Sequence, residues 1–200
     1  MRIIAGECRG TILQVPKGKI TRPIPDSVRQ ALFSSLGSEY GTPGIMPEIN
    51  VVDMFAGTGS FGLECLSRGV KLCCFFEKNP QVLSILRQNI KKCKLEGRAW
   101  IVSGSAYDCD LPATPDGRGW DLVYLDPPYI NVELNFSQNS VPNLLTAISD
   151  SGQLANEAWV ILRHPIATDY ERRLGKLRPL KNKTYGSMRF TWFRYDKEIT

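Results

Sequence analysis

From residue 49 onward, short continuous apolar runs alternate with longer stretches whose apolar residues recur every three or four positions. Ile49-Asn50-Val51-Val52-Asp53-Met54-Phe55 reads as a strand, followed by a glycine-rich turn and a helix from about Ser60 to Arg68. Leu72-Cys73-Cys74-Phe75-Phe76 is a second buried strand ending at Glu77. Asn79 then caps a helix with Pro80 at its first position, Val82, Leu83, Leu86, Ile90 and Cys93 on its apolar side, and Gly97 as its stop. Ala99-Trp100-Ile101-Val102 and Asp121-Leu122-Val123-Tyr124-Leu125 are a third and fourth strand, Val141 to Ile148 a helix, and Ala158-Trp159-Val160-Ile161-Leu162 a fifth strand. The tail from Leu177, with Phe190-Thr191-Trp192-Phe193, reads as two antiparallel strands. This alternation means βαβ units and a mostly parallel sheet covered on both faces. Ligands of such sheets bind at the carboxyl ends of the strands, where Asp53, Glu77 and Asp126 fall.

Upstream the pattern is different. Arg2-Ile3-Ile4-Ala5 and Thr11-Ile12-Leu13-Gln14-Val15, separated by Gly6 and Gly10, read as a hairpin. Pro16, Gly18, Pro23 and Pro25 make a stiff connector. Asp26 is the expected N-cap of a helix with Val28, Ala31, Leu32, Ser35 and Leu36 on one face and Gly37 just past its end. The Pro/Gly loop from Gly41 to Pro47 separates an extension, residues 1–40, from a main domain, residues 41–200.

Composition narrows the chemistry. No run approaches the ~18 apolar residues that a membrane helix needs, so no membrane contact is expected. The six cysteines contain no C-x-x-C pair and His164 is the one histidine, so reduced thiols in a cytoplasmic protein without a metal are expected. A packed His164 is the expectation over a catalytic one. The net charge of +5 is unevenly spread. Residues 1–30 carry six basic and two acidic side chains, residues 160–200 ten and four, and residues 31–159 nine and fourteen. Two basic ends around an acidic centre suit a protein that grips a polyanion by its ends.

Two stretches carry the chemistry. Gly57-Thr58-Gly59-Ser60-Phe61-Gly62 has the G-x-G-x-x-G form between a strand and a helix, which permits a tight turn and close backbone approach to a ligand. Glu77, 20 residues beyond Gly57, can accept from both ribose hydroxyls of an adenosine. Asp53, on the strand before the turn, would repel the pyrophosphate of NAD or FAD but tolerates a ligand with an ammonium and a sulfonium. S-adenosylmethionine is therefore the expected cofactor, and NAD or FAD the competing one. The second stretch is Asp126-Pro127-Pro128-Tyr129. Two prolines without N–H groups end the strand in a rigid turn that presents a carboxylate, a free carbonyl and an aromatic face. That equipment suits the exocyclic amine of a planar base.

Val51-Val52-Asp53-Met54-Phe55-Ala56-Gly57-Thr58-Gly59 resembles motif I of the class I S-adenosylmethionine-dependent methyltransferases, and Asp126-Pro127-Pro128-Tyr129 resembles their amino-methylating motif IV. The stretch from Thr21-Arg22-Pro23 to Ala31-Leu32-Phe33 resembles the RsmD family of 16S rRNA guanine-N2-methyltransferases. The resemblance implies a Rossmann-like α/β fold: a seven-stranded mostly parallel sheet with an antiparallel C-terminal strand, plus a small N-terminal hairpin and helix extension. It implies that Asp53 and the backbone of Ala56, Gly57 and Gly59 line the methionine end of S-adenosylmethionine, that Glu77 holds the ribose, that Lys78 and Asn79 lie near the adenine, and that Phe55, Ser105, Ala106 and Asp126 complete the site. Many class I enzymes have an Asp where this chain has Ser105, with Asp108 three residues on, so the adenine contact is open between the two.

The implied reaction is methyl transfer to the N2 amine of a guanine, with Asp126, Pro127, Pro128 and Tyr129 as the catalytic turn and 16S rRNA or a small ribosomal subunit particle as partner. A monomer is expected. Arg2, Arg9, Lys17, Lys19 and Arg22, and Arg172, Arg173, Lys176, Lys181 and Lys183, are the candidates for RNA phosphate contacts. Arg22 has a second reading, as a partner of the cofactor carboxylate or the active-site floor. Motif IV also occurs in enzymes that methylate DNA adenine or protein glutamine, and a non-catalytic RNA-binding assembly factor could retain the fold. Both motifs are intact here, which favours the enzyme.

Overall fold

A computed structural model describes residues 1–16, 24–108, 110–128 and 140–198. The chain forms two compact units, Met1–Gly104 and Ser105–Thr200. In the first, strands β1 (Asn50–Asp53), β2 (Leu72–Glu77) and β3 (Ala99–Ser103) lie parallel in the order β3-β2-β1. All four β1 residues are buried, apolar Val51 and Val52 together with polar Asn50 and Asp53, as in a strand covered on both faces. Helix α2 (Ser60–Ser67) presses onto this sheet at Gly62, where a Cβ would come within 2.3 Å of the Phe75 ring. Glycine is needed there for close approach.

Helix α3 (Pro80–Lys92) starts as its sequence predicts: the Asn79 side chain accepts from the N–H groups of Gln81 at 2.9 Å and Val82 at 3.2 Å. Its end differs from the expectation. The helix closes on Cys93, and Gly97 lies in a following 3-10 turn, Glu96–Arg98. Helix α1 (Asp26–Glu39) departs at both ends. Pro25 occupies the cap position, and Asp26, the first helical residue, pairs with Arg29 at 2.8 Å instead of capping. Gly37 is buried inside the helix, which therefore runs two residues past it. Arg29 is fully buried on the inner face, while Val28 is only half-buried.

The predicted N-terminal hairpin is reduced to one antiparallel bridge, Arg2↔Ile12, flanked by hydrogen bonds from Ile3 N–H to Thr11 O and from Leu13 N–H to Met1 O. Beside this pairing, Glu64 of α2, fully buried, accepts from the N–H groups of Ile4 at 2.7 Å and Ala5 at 3.0 Å and so ties the segment to the helix. Gln14 is held in the same way by buried Asn89 of α3, which accepts from its N–H at 2.8 Å and donates to its carbonyl at 3.0 Å.

In the second unit, β4 (Trp120–Leu125) pairs in parallel with β5 (Leu154–Pro165), and β5 pairs antiparallel with β7 (Met188–Tyr195), which carries β6 (Leu177–Tyr185) on its other side. Helix α4 (Val141–Asp150) begins at Ser140, whose hydroxyl accepts from Asn143 N–H. The fold is a seven-stranded, mostly parallel sheet, with the order β3-β2-β1 in the first unit and β4-β5-β7-β6 in the second. β5 extends beyond the predicted run 158–162 at both ends: β7 provides a partner as far as Pro165, and Leu154 pairs with Trp120 of β4. No described helix is long and apolar enough to cross a membrane.

Candidate functional site

The glycine turn of the first unit is built from both sides. Gly59 caps α2 without a side chain, so the orphan N–H groups of the first helical turn need an outside acceptor. Asp53, at the end of β1 and 1% exposed, supplies it by accepting from Gly62 N–H at 3.1 Å. A carboxylate at a helix N-terminus is also favoured by the helix dipole. Ala56 N–H donates to Phe76 O at 2.9 Å, and Asn89 donates to Thr58 O at 2.9 Å. Gly57 and Gly59 both have positive φ, +55° and +88°. A Cβ at Gly59 would strike Leu86, whereas the space beyond Gly57 is open.

Glu77 spans the turn. One carboxylate oxygen accepts from Gly57 N–H at 3.0 Å and the other from Asn79 N–H at 2.7 Å. Its carbonyl accepts from Gly104 N–H after β3. The structure thus brings Asp53, Ala56, Gly57, Gly59, Glu77 and Asn79 into one connected network, with Phe55 half-buried beside it in sequence and Lys78 exposed. These residues have room for an adenosine: a carboxylate offers about four acceptor directions, of which Glu77 has used two, and a Cβ at Gly57 would meet nothing within 4 Å.

The second unit holds Asp126 immediately after β4, followed by buried Pro127 and exposed Pro128. Tyr129 lies outside the described residues. Asp126 is paired with Arg163 of β5, whose Nη1 donates to both carboxylate oxygens, at 2.8 and 3.0 Å. Burial pushes the Asp126 carboxyl above its ordinary value, and the Arg163 guanidinium pulls against that shift. Arg163 is absent from the sequence reading. Its signal was its place one residue after the predicted fifth strand, as Asp126 stands one residue after the fourth.

His164, fully buried, contacts the Pro165 carbonyl and the Thr168 and Thr191 hydroxyls, and burial lowers its pKa to about 4. It is a packed residue, as expected. Ser105 accepts from Tyr107 N–H through its hydroxyl, Ala106 is buried and Asp108 exposed. Among the described residues no group of His, Cys, Asp and Glu could hold a metal. Cys8, Cys65, Cys73, Cys74 and Cys93 are buried free thiols.

Of the basic candidates, Arg2, Arg9, Arg172 and Arg173 are exposed and Lys176 half-buried. Arg2 and Arg9 line a cleft of about 610 Å³ with Asp26, Ser27, Gln30 and Ser34. Lys17, Lys19 and Arg22, with Thr21 and Pro23, lie outside the described residues.

Comparison with known proteins places these features in a lineage. Residues 1–194 match the model of a family described as conserved hypothetical protein 95. Ribosomal RNA small subunit methyltransferase D of Haemophilus influenzae is 32% identical over 181 residues, covering 82% of this chain and 86% of its own. YlbH of Bacillus subtilis is 28% identical over 187 residues, 93% of this chain and 94% of its own. The solved structure of yhhF from Escherichia coli superposes with a TM-score of 0.78 at 26% identity, covering 99% of each chain.

Proposed function

The chain belongs to the RsmD family of class I methyltransferases, and from that membership we propose that it transfers a methyl group from S-adenosylmethionine to the exocyclic N2 amine of a guanine in small-subunit rRNA. The observation that carries the reading is Asp126, a carboxylate at the end of a buried strand, followed by a proline carbonyl and held by a buried arginine. S-adenosylmethionine supplies a methyl carbon activated by its sulfonium, and transfer leaves a neutral thioether. Gly57 and Glu77 hold the nucleoside, and Asp53 shapes the turn from behind by fixing the start of α2.

A guanine amine is a weak nucleophile because its lone pair is delocalised into the ring. Asp126 and the Pro127 carbonyl accept its two N–H bonds, which turns the lone pair outward to attack. The N–C bond forms as the S–C bond breaks, and catalysis rests on orientation and on stabilising the nitrogen as it becomes positive. That nitrogen then sheds a proton without a strong base; Asp126, with about a fifth of its side chain exposed, can pass it to water. Tyr129 stacks on the base, worth roughly 1–3 kcal/mol by comparison with single-strand binders. The target guanine is unpaired or flipped, since its amine is otherwise shielded. Residues 1–40 and the basic tail contact the RNA backbone.

Methyl transfer from labelled cofactor to rRNA from cells lacking the protein, followed by nucleoside analysis, tests the reading. N2-methylguanine is expected, and methyladenine would redirect it. Asp126→Ala should reduce turnover by about 10²-fold or more while cofactor binding stays within a few-fold. Normal turnover in that variant would sink the amine clamp.

A further inference from the structure

The parallel register of β4 and β5 pairs Leu125 with Leu162, and one residue further along both strands stand Asp126 and Arg163. The pairing of these two side chains is thus a product of the sheet and not of a flexible surface. Their side chains are 21% and 8% exposed, which separates the pair from solvent-screened surface bridges. One nitrogen, Nη1, serves both oxygens at nearly equal distances, so it sits between them. A carboxylate has about four lone-pair directions. A donor placed between the oxygens takes the inner one of each and leaves the two outer ones facing away from the arginine.

No other charged side chain among those described acts on Asp126. Next along β5, His164 is engaged by Pro165, Thr168 and Thr191, and Arg189 is registered with it on β7. The β7 residue registered with Arg163 is apolar Phe190.

We propose that Arg163 is the positioning residue of the amine clamp: it keeps Asp126 ionised in a buried setting and turns the outer lone pairs toward the substrate amine. This rests on the proposed reaction for the identity of the amine. Arg163 does not touch the substrate; it acts through Asp126. The arrangement also explains how a carboxylate can work where burial favours its protonated form, since a protonated Asp126 would offer a donor to an amine that itself donates. Loss of the guanidinium removes the pull that opposes burial, so the Asp126 carboxyl should ionise at a higher pH.

The test compares the wild-type chain with Arg163→Lys and Arg163→Met in pH–rate profiles on rRNA at saturating methyl donor. Arg163→Met should lower kcat at pH 7 at least tenfold, with KM values for both substrates within a few-fold. Its acid limb should move to higher pH, so that activity recovers in alkaline buffer, and Arg163→Lys should fall between. A loss of kcat that is equal at every pH, or no loss, overturns the proposal. If Arg163→Met does not fold, carbon-13 titration of the Asp126 carboxyl in wild type and Arg163→Lys decides: a higher midpoint in the variant supports the role, and equal midpoints overturn it. Wild-type enzyme that yields no N2-methylguanine fails the proposed reaction alone, and the carboxyl titration still judges Arg163.

Discussion

His164 shows how one buried side chain sets a pH dependence. Its folded-state pKa, near 4, lies below the ordinary 6.5, so between these values the unfolded chain binds a proton that the folded chain refuses. Stability is therefore fully present above about pH 6.5 and declines as pH falls toward 4, by at most about 3 kcal/mol. Urea denaturation between pH 4 and 7 should show that slope, and His164→Asn should lose most of it while being less stable at pH 7. A wild-type slope retained in the variant would assign the dependence to other groups. The residue scale also separates two acids that look alike in the sequence. Asp53 and Asp126 both end buried strands, yet Asp53 faces the first turn of a helix and Asp126 faces an arginine. Strand position was legible for both; the partner was not, because it comes from another element, the next helix for Asp53 and the neighbouring strand for Asp126.

At the scale of elements, the N-terminal segment is held by helices as well as by its own short pairing. Glu64 receives two backbone N–H groups from that segment and the Arg68 Nε at 2.8 Å. Glu64→Gln replaces one acceptor by an NH₂ that confronts a backbone donor, at an expected cost of about 1–3 kcal/mol. Hydrogen exchange of residues 1–16 should accelerate in this variant, and unchanged exchange would mean that the segment is anchored elsewhere. The strands and α3 were legible because apolar runs, an Asn cap and a Pro at the first turn act locally. The ends of α1 were misread for the converse reason: Asp26 pairs with Arg29 instead of capping, and tertiary packing carries the helix through Gly37.

At the scale of the molecule, charge asymmetry becomes a binding prediction. Replacing Arg172, Arg173 and Lys176 by neutral residues should weaken RNA binding and flatten the plot of log affinity against log salt, since each phosphate contact releases counterions. Filter binding at several salt concentrations checks this, and an unchanged slope would move the RNA surface to other residues. The same variant should keep its affinity for S-adenosylmethionine, because none of the three residues is among those assigned to the cofactor.

The alternating pattern, the glycine turn with Glu77, and the Asp-Pro-Pro-Tyr turn were sufficient to indicate a methyltransferase of this fold, because periodicity and turn chemistry are local properties of the chain. Long-range partners were not legible there. Glu64 beneath the N-terminal segment, Asn89 between Gln14 and the glycine turn, and Arg163 against Asp126 join residues 31 to 75 positions apart. Their pairing is decided when a buried donor must find an acceptor within about 3 Å, a requirement that exists only once the strands and helices have packed.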